Sequence, residues 1–275
     1  MKKTFVSTSA VLFAMFTGVL SPLPASATET VCTITVSDSY TTVQGTNLGD
    51  VICITGDNNT VYALGGNDTV VDDGINNTIN LGEGFDIYNG TGGSGGTVDG
   101  GAGDDNLTGT PGADEISGGD GDDSIVGGYG NDTLNGGLGA DELNGSAGDD
   151  SIYGEAGNDS IDGGDGSDTV DAGAGDDSVV GSAGDDTLNG GMGADQLNGE
   201  AGSDNLYGEA GTDSLSGGEG NDLVAGGADL DSIDGGLGLN ICDYTSGEPL
   251  TTTCKYDDAA PCSSGVANFL VTINH

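Results

Sequence analysis

Aspartate is the residue of this sequence best placed to do chemistry, because it recurs at a fixed interval among glycines. From Gly100 the chain divides without a gap into nine-residue units: GGAGDDNLT at 100, GTPGADEIS at 109, GGDGDDSIV at 118, GGYGNDTLN at 127, and the frame holds to Ala225. All fourteen units carry Gly at position 4, Asp at position 6 and Leu, Ile or Val at position 8. Glycine permits positive φ and lets carbonyl groups point inward with no side chain in the way, and the Asp adds a carboxylate. Oxygen donors of these two kinds suit a hard cation such as calcium, whereas the absence of His and Cys within the array argues against zinc or copper. The expected cofactor is calcium, with multiple ions along the array.

Composition narrows the alternatives. The 275 residues include 56 Gly and 46 Asp plus Glu against three basic residues, for a net charge of -43. The basic residues are Lys2, Lys3 and Lys255, and the only imidazole is the last residue, His275. Nucleic acid and anionic membrane surfaces are excluded as partners, because binding polyanions needs clustered Lys or Arg. Catalytic toolkits are missing too: the sequence has no HExxH helix and no GxSxG elbow with a histidine to serve it. Glycoside hydrolysis needs only two carboxylates, so a carboxylate-based extracellular polysaccharide-processing enzyme is the one catalytic alternative. Nearly every acid in the array is accounted for by the repeat, and the expectation is a non-enzyme.

The elements that must position these carboxylates follow from the same period. Position 8 is the only steadily apolar position, flanked by polar residues such as Asn106 and Thr108 around Leu107. Each unit therefore predicts a three-residue strand with one inward side chain, preceded by a six-residue turn. Upstream, with a one-residue insertion in the 90–99 stretch, units starting at 45, 54, 63, 72 and 81 place Asp50, Asn59, Asp68, Asn77 and Asp86 at position 6. Their position 8 holds Ile52, Val61, Val70, Ile79 and Tyr88. Downstream the pattern fades at units 226 and 235, where Asp229 replaces the glycine, Asn240 replaces the Asp, and Cys242 takes position 8. DTLNGGLGADELNG at 132 recurs as DTLNGGMGADQLNG at 186, six units later, which reads as a duplicated block.

The units resemble the RTX, or haemolysin-type, calcium-binding repeats, whose pattern is Gly-Gly-x-Gly-x-Asp-x-apolar-x. Seven units, starting at Gly100, Gly118, Gly127, Gly136, Gly163, Gly190 and Gly217, carry that pattern in full. The resemblance implies an all-β fold, a parallel β-roll or β-helix solenoid of nonapeptide repeats with short capping segments, two units to a right-handed turn, and calcium in the turns. It implies as ligands Asp105, Asp114, Asp123, Asp132, Asp141, Asp150, Asp159, Asp168, Asp177, Asp186, Asp195, Asp204, Asp213 and Asp222, with turn carbonyls completing each shell. No normal site is expected at Asp229 or Asn240.

The ends read differently from the array. Residues 1–27 have the form of a secretory signal peptide: Lys2 and Lys3, an apolar stretch to Leu20, and Ala25-Ser26-Ala27 before the expected cleavage. The apolar run is too short and too interrupted for a membrane span. Residues 28–99 are expected to form an N-terminal cap and degenerate repeats, 100–225 the regular calcium-binding repeats, 226–243 degenerate repeats and 244–275 a C-terminal cap. In an oxidising compartment Cys32 pairs locally with Cys53. Cys242, Cys254 and Cys262 offer three pairings, of which Cys254 with Cys262 is favoured because Cys242 sits at an apolar repeat position and suits a small packing role. The function these expectations compose is a secreted, extracellular calcium-binding solenoid with a structural, surface or adhesion role. Its partners would be calcium and cell-surface or matrix components.

Overall fold

The structure is a computed structural model that describes residues 31–243. The signal segment, Cys254, Cys262 and the expected C-terminal cap lie outside the described residues. Within them the chain is all strand. Two parallel sheets of twelve strands each take alternate strands in sequence order, so every coil contributes one strand to each sheet. Partners lie two units apart: Ile116 pairs with Leu134, Leu134 with Ile152, and Ile152 with Val170. The fold is the parallel β-roll that the repeat implies. Among the described residues no helix is long and apolar enough to cross a membrane.

The register locates the inserted residue. Val71 pairs with Asn89, 18 residues on, but Asn77 pairs with Gly96 and Ile87 with Asn106, 19 residues on. The extra residue therefore falls between Gly90 and Gly96. Residues of the expected N-terminal cap form the first strand of each sheet, Ile34–Val36 and Thr42–Gln44, which pair with Ile52–Ile54 and Thr60–Tyr62. Cys32 is disulfide-bonded to Cys53, with the two Cα atoms 5.8 Å apart, and this ties the first coil to the second. Cys242 is buried at position 8 beside Val224.

The strands are longer than the apolar pattern suggests. In the regular repeats most run six residues, from position 7 of one unit through position 3 of the next, as in Ser151–Ala156. Positions 8 and 1 both face the interior, Ile152 and Gly154 in that strand, and only positions 4 to 6 form the turn. The inward position 1 is glycine because the space is already taken. A Cβ on Gly163 would lie 2.6 Å from Oδ2 of Asp168 and 2.9 Å from the carbonyl oxygen of Gly181. At position 4 two constraints coincide: Gly130 has φ +130°, and a Cβ there would lie 2.6 Å from the Gly112 carbonyl of the preceding coil.

Position 2 is also left-handed, yet several units place a side chain there: Ser146, Glu155, Ser182, Glu200 and Glu209 have φ between 68 and 77°. A non-glycine residue pays about 1–2 kcal/mol in that region, and glycine offsets this with a loss of about 0.5–1 kcal/mol in chain entropy. Glu155→Gly is thus expected to stabilise the coil by about 0.5–1 kcal/mol. A rise in the temperature of half-unfolding followed by circular dichroism would show it; an unchanged or lowered midpoint would remove the strain argument.

Candidate metal-binding rows

Since a coil is two units long, position 6 of alternate units returns to the same edge of the roll. The fourteen Asp therefore divide into two rows of seven, one headed by Asp105 and the other by Asp114. Within each row the carboxylates are tied to the neighbouring coil. Oδ1 of Asp123 accepts a hydrogen bond from the backbone N–H of Asp105 at 2.8 Å, Oδ1 of Asp141 from Asp123 at 2.8 Å, and Oδ1 of Asp159 from Asp141 at 2.9 Å. The other row repeats this from Asp132, bonded by Asp114 at 2.8 Å, to Asp222, bonded by Asp204 at 3.0 Å. Each carboxylate bridges two coils.

The second oxygen is the informative one. In thirteen of the fourteen Asp, Oδ2 is buried with no hydrogen-bond partner. Oδ2 of Asp168 sits in the recess left by the missing side chain of Gly163, near the Gly181 carbonyl oxygen. An unpartnered polar atom costs about 1–3 kcal/mol when buried, and more when charged; thirteen of them in register demand neutralisation by a proton or a cation. Among the described residues no point gathers three carboxylate, thiol or imidazole side chains. A cation would therefore be held by row carboxylates together with backbone carbonyls, an all-oxygen shell that fits calcium.

Asp114 is the exception. Its Oδ2 accepts from the backbone N–H of Thr110 at 2.7 Å and from the Thr110 hydroxyl at 2.9 Å. Asp50 is closed in the same way by Thr46. In both units Thr occupies position 2. The row headed by Asp105 also extends upstream through Asp86 and Asp68, each with Oδ1 bonded by its neighbour at 2.7 Å and Oδ2 buried without a partner. Sequence reasoning placed these two at position 6 but did not count them as ligands. The signal was present, since Gly66 and Gly84 keep glycine at position 4. On the opposite edge the upstream residues are Asn59 and Asn77, with Gly96 beyond them. Downstream, Asp231 and Asn240 accept from Asp213 and Asp222, so the ladder outlasts the motif.

A second ladder runs outside the first. Exposed Asp or Asn at position 5 accepts from the position-5 N–H of the following coil, as Asp104 does from Asp122, Asp122 from Ala140 and Asp149 from Ser167. The turns are thus held by side chains on both their inner and outer surfaces.

Burial raises the proton affinity of the inner rows. It pushes Asp105 and Asp132 up to about 7 and Asp123, Asp159, Asp168, Asp186 and Asp213 up to about 6, with neighbouring carboxylates of the same row adding to the effect. A carboxyl that holds its proton more tightly when folded favours the folded coil below about pH 4 and loses that contribution as pH rises through 6 to 7. In calcium-depleted buffer the β signal is therefore expected to grow as pH falls from 8 to 5. Circular dichroism reads this directly, and loss of β signal over that range would show that the buried oxygens are not the source of instability.

The model for the RTX calcium-binding nonapeptide repeat, which spans four copies, matches residues 55–88 and, in a series of overlapping or adjoining stretches, residues 91–242. No curated protein matches the chain.

Proposed function

The chain belongs to the RTX calcium-binding nonapeptide repeat family, and on that premise we propose that it is a secreted solenoid that folds when calcium enters its two aspartate rows and then serves as a structural, surface or adhesion element. One observation carries the proposal: a buried, unpartnered carboxylate oxygen recurs in thirteen of the fourteen repeat units. Calcium supplies the positive charge that these oxygens lack. Asp105, Asp123 and the other residues of the two rows supply one carboxylate each, tethered through Oδ1 to the preceding coil, and Asp114, already bonded by Thr110, contributes least. The row carboxylates are fixed in ladders through Oδ1 and keep Oδ2 buried, which supports a binding role. Residues 1–27 as a signal peptide support export, and the Cys32–Cys53 bond suits an oxidising compartment. The regular block 100–225 is the calcium-responsive unit, flanked by the irregular coils and the two terminal segments.

The test is a calcium titration followed by circular dichroism together with a count of bound ions. Half-folding is expected on the order of 0.1–1 mM, the range of extracellular calcium modules, and several ions should bind per chain. A β signal unchanged by removal of calcium at neutral pH would overturn calcium-dependent folding.

A further inference from the structure

We propose that the N-terminal coils, residues 34–90, keep their fold without calcium and act as the template on which the calcium-dependent coils assemble. This rests on the calcium-dependent folding of the repeats proposed above. Three differences between these coils and the repeats support it.

The first is the interior. In the regular units position 1 is glycine, with Ala172 the one replacement, so each strand buries a single large side chain. In the N-terminal coils glycine holds position 1 only at Gly45 and Gly90; elsewhere it is filled, so that Ile52 is joined by Ile54, Val61 by Ala63 and Ile79 by Leu81, all fully or almost fully buried. In those three strands the core is made of side chains on both inward positions, and burial of apolar surface needs no ion. The polar exception, Asp72, has both oxygens bonded, Oδ1 by the Gly74 N–H at 2.9 Å and the Asn77 amide at 2.8 Å, and Oδ2 by the Tyr88 hydroxyl at 3.3 Å.

The second difference is charge. On one edge the ladder is built from amides: Asn59 accepts from the Thr41 N–H at 2.9 Å, and Asn77 accepts from the Asn59 N–H at 2.8 Å while donating to the Gly56 carbonyl at 3.1 Å. That edge carries the ladder's hydrogen bonds on neutral amides, and the one carboxyl buried against it, Asp72, has both oxygens bonded. On the other edge Asp50 is closed by Thr46, and the unpartnered carboxylates are Asp68 and Asp86. The repeats, in contrast, carry such an oxygen on both edges of each coil from Asp123 onward.

The third difference is the covalent tie between the first two coils, Cys32 to Cys53. A cross-link restricts the unfolded chain and favours the coil that it closes. The coils so held present a strand edge to the following coil. In a linear solenoid, adding a coil to a formed neighbour is easier than starting one alone.

The experiment is hydrogen exchange on the full disulfide-bonded chain in calcium-depleted buffer at neutral pH. Amides of strands Val51–Ile54, Thr60–Gly65 and Asn77–Glu83 are expected to exchange at least about a hundredfold more slowly than those of Ser124–Tyr129, Ser151–Ala156 and Gln196–Ala201, and calcium should slow both sets. Leu81→Ala should cut the calcium-free protection of the N-terminal strands by at least about tenfold and raise the calcium midpoint of the repeats. Leu134→Ala, the same class of deletion within the repeats, should leave N-terminal protection unchanged. Fast exchange of both sets without calcium, or equal loss of N-terminal protection in the two variants, overturns the template. Protection of both sets without calcium overturns the calcium-dependent folding beneath it, a separate and recognisable failure.

Discussion

Ile152→Asp is expected to abolish calcium-driven folding of the coils around it, whereas Ser151→Ala, one residue away, should change stability by no more than about 0.5 kcal/mol. Ile152 is 0% exposed and stacks between Leu134 and Val170 along its sheet. A carboxylate at that place has no partner and leaves the apolar stack open, a loss of several kcal/mol unless the group takes up a proton or the coil opens. Ser151 points outward from the same strand. Neighbours stabilise one another in a solenoid, so the damage should spread to adjacent coils and be read as a lost or much right-shifted calcium transition in circular dichroism. If the two variants lost calcium-induced folding equally, the assignment of inward and outward positions would be wrong.

The repeat frame, the inward position 8 and the oxygen-rich turn were legible in the sequence because each is local. Leu107 stands out from Asn106 and Thr108 by hydropathy alone, and Asp105 and Gly103 keep a constant spacing from it. The second inward position was not legible. Position 1 is nearly always glycine, which carries no hydrophobic signal, so a strand that extends to Ala156 read as one that stops at position 9. The bonds between coils were hidden for a different reason. The residue that meets Asp105 is Asp123, two units on, and a nine-residue pattern does not distinguish neighbours in sequence from neighbours in space. The closure of Asp114 by Thr110 is local, four residues within one unit, yet it was not legible either, since a Thr for Gly exchange at position 2 reads only as a weakened motif. Asp68 and Asp86 did not read as ligands because glycine is lost at position 1 in both units, and at position 2 in the first, although position 4 keeps it as Gly66 and Gly84.

Placement along a row should set how many ions one carboxylate governs. Asp159 is linked in both directions: its Oδ1 accepts from the Asp141 N–H at 2.9 Å, and its own N–H donates to Oδ1 of Asp177 at 2.8 Å. Carboxylates therefore flank it on both sides. Asp222 accepts from the Asp204 N–H at 3.0 Å but donates to Oδ1 of Asn240 at 2.9 Å, a neutral amide. If each ion is shared by successive coils, Asp159→Ala disturbs two adjacent sites and interrupts the row at its middle, whereas Asp222→Ala disturbs one site at its end. The central variant should then bind about one calcium fewer than the terminal variant and show a shallower folding transition, because nearest-neighbour coupling is cut in the interior of the array. Bound calcium per chain and the slope of the titration measure the two effects separately. Equal ion counts and equal slopes for the two variants would mean that each nonamer closes its own site and that the ladders carry hydrogen bonds without sharing ions.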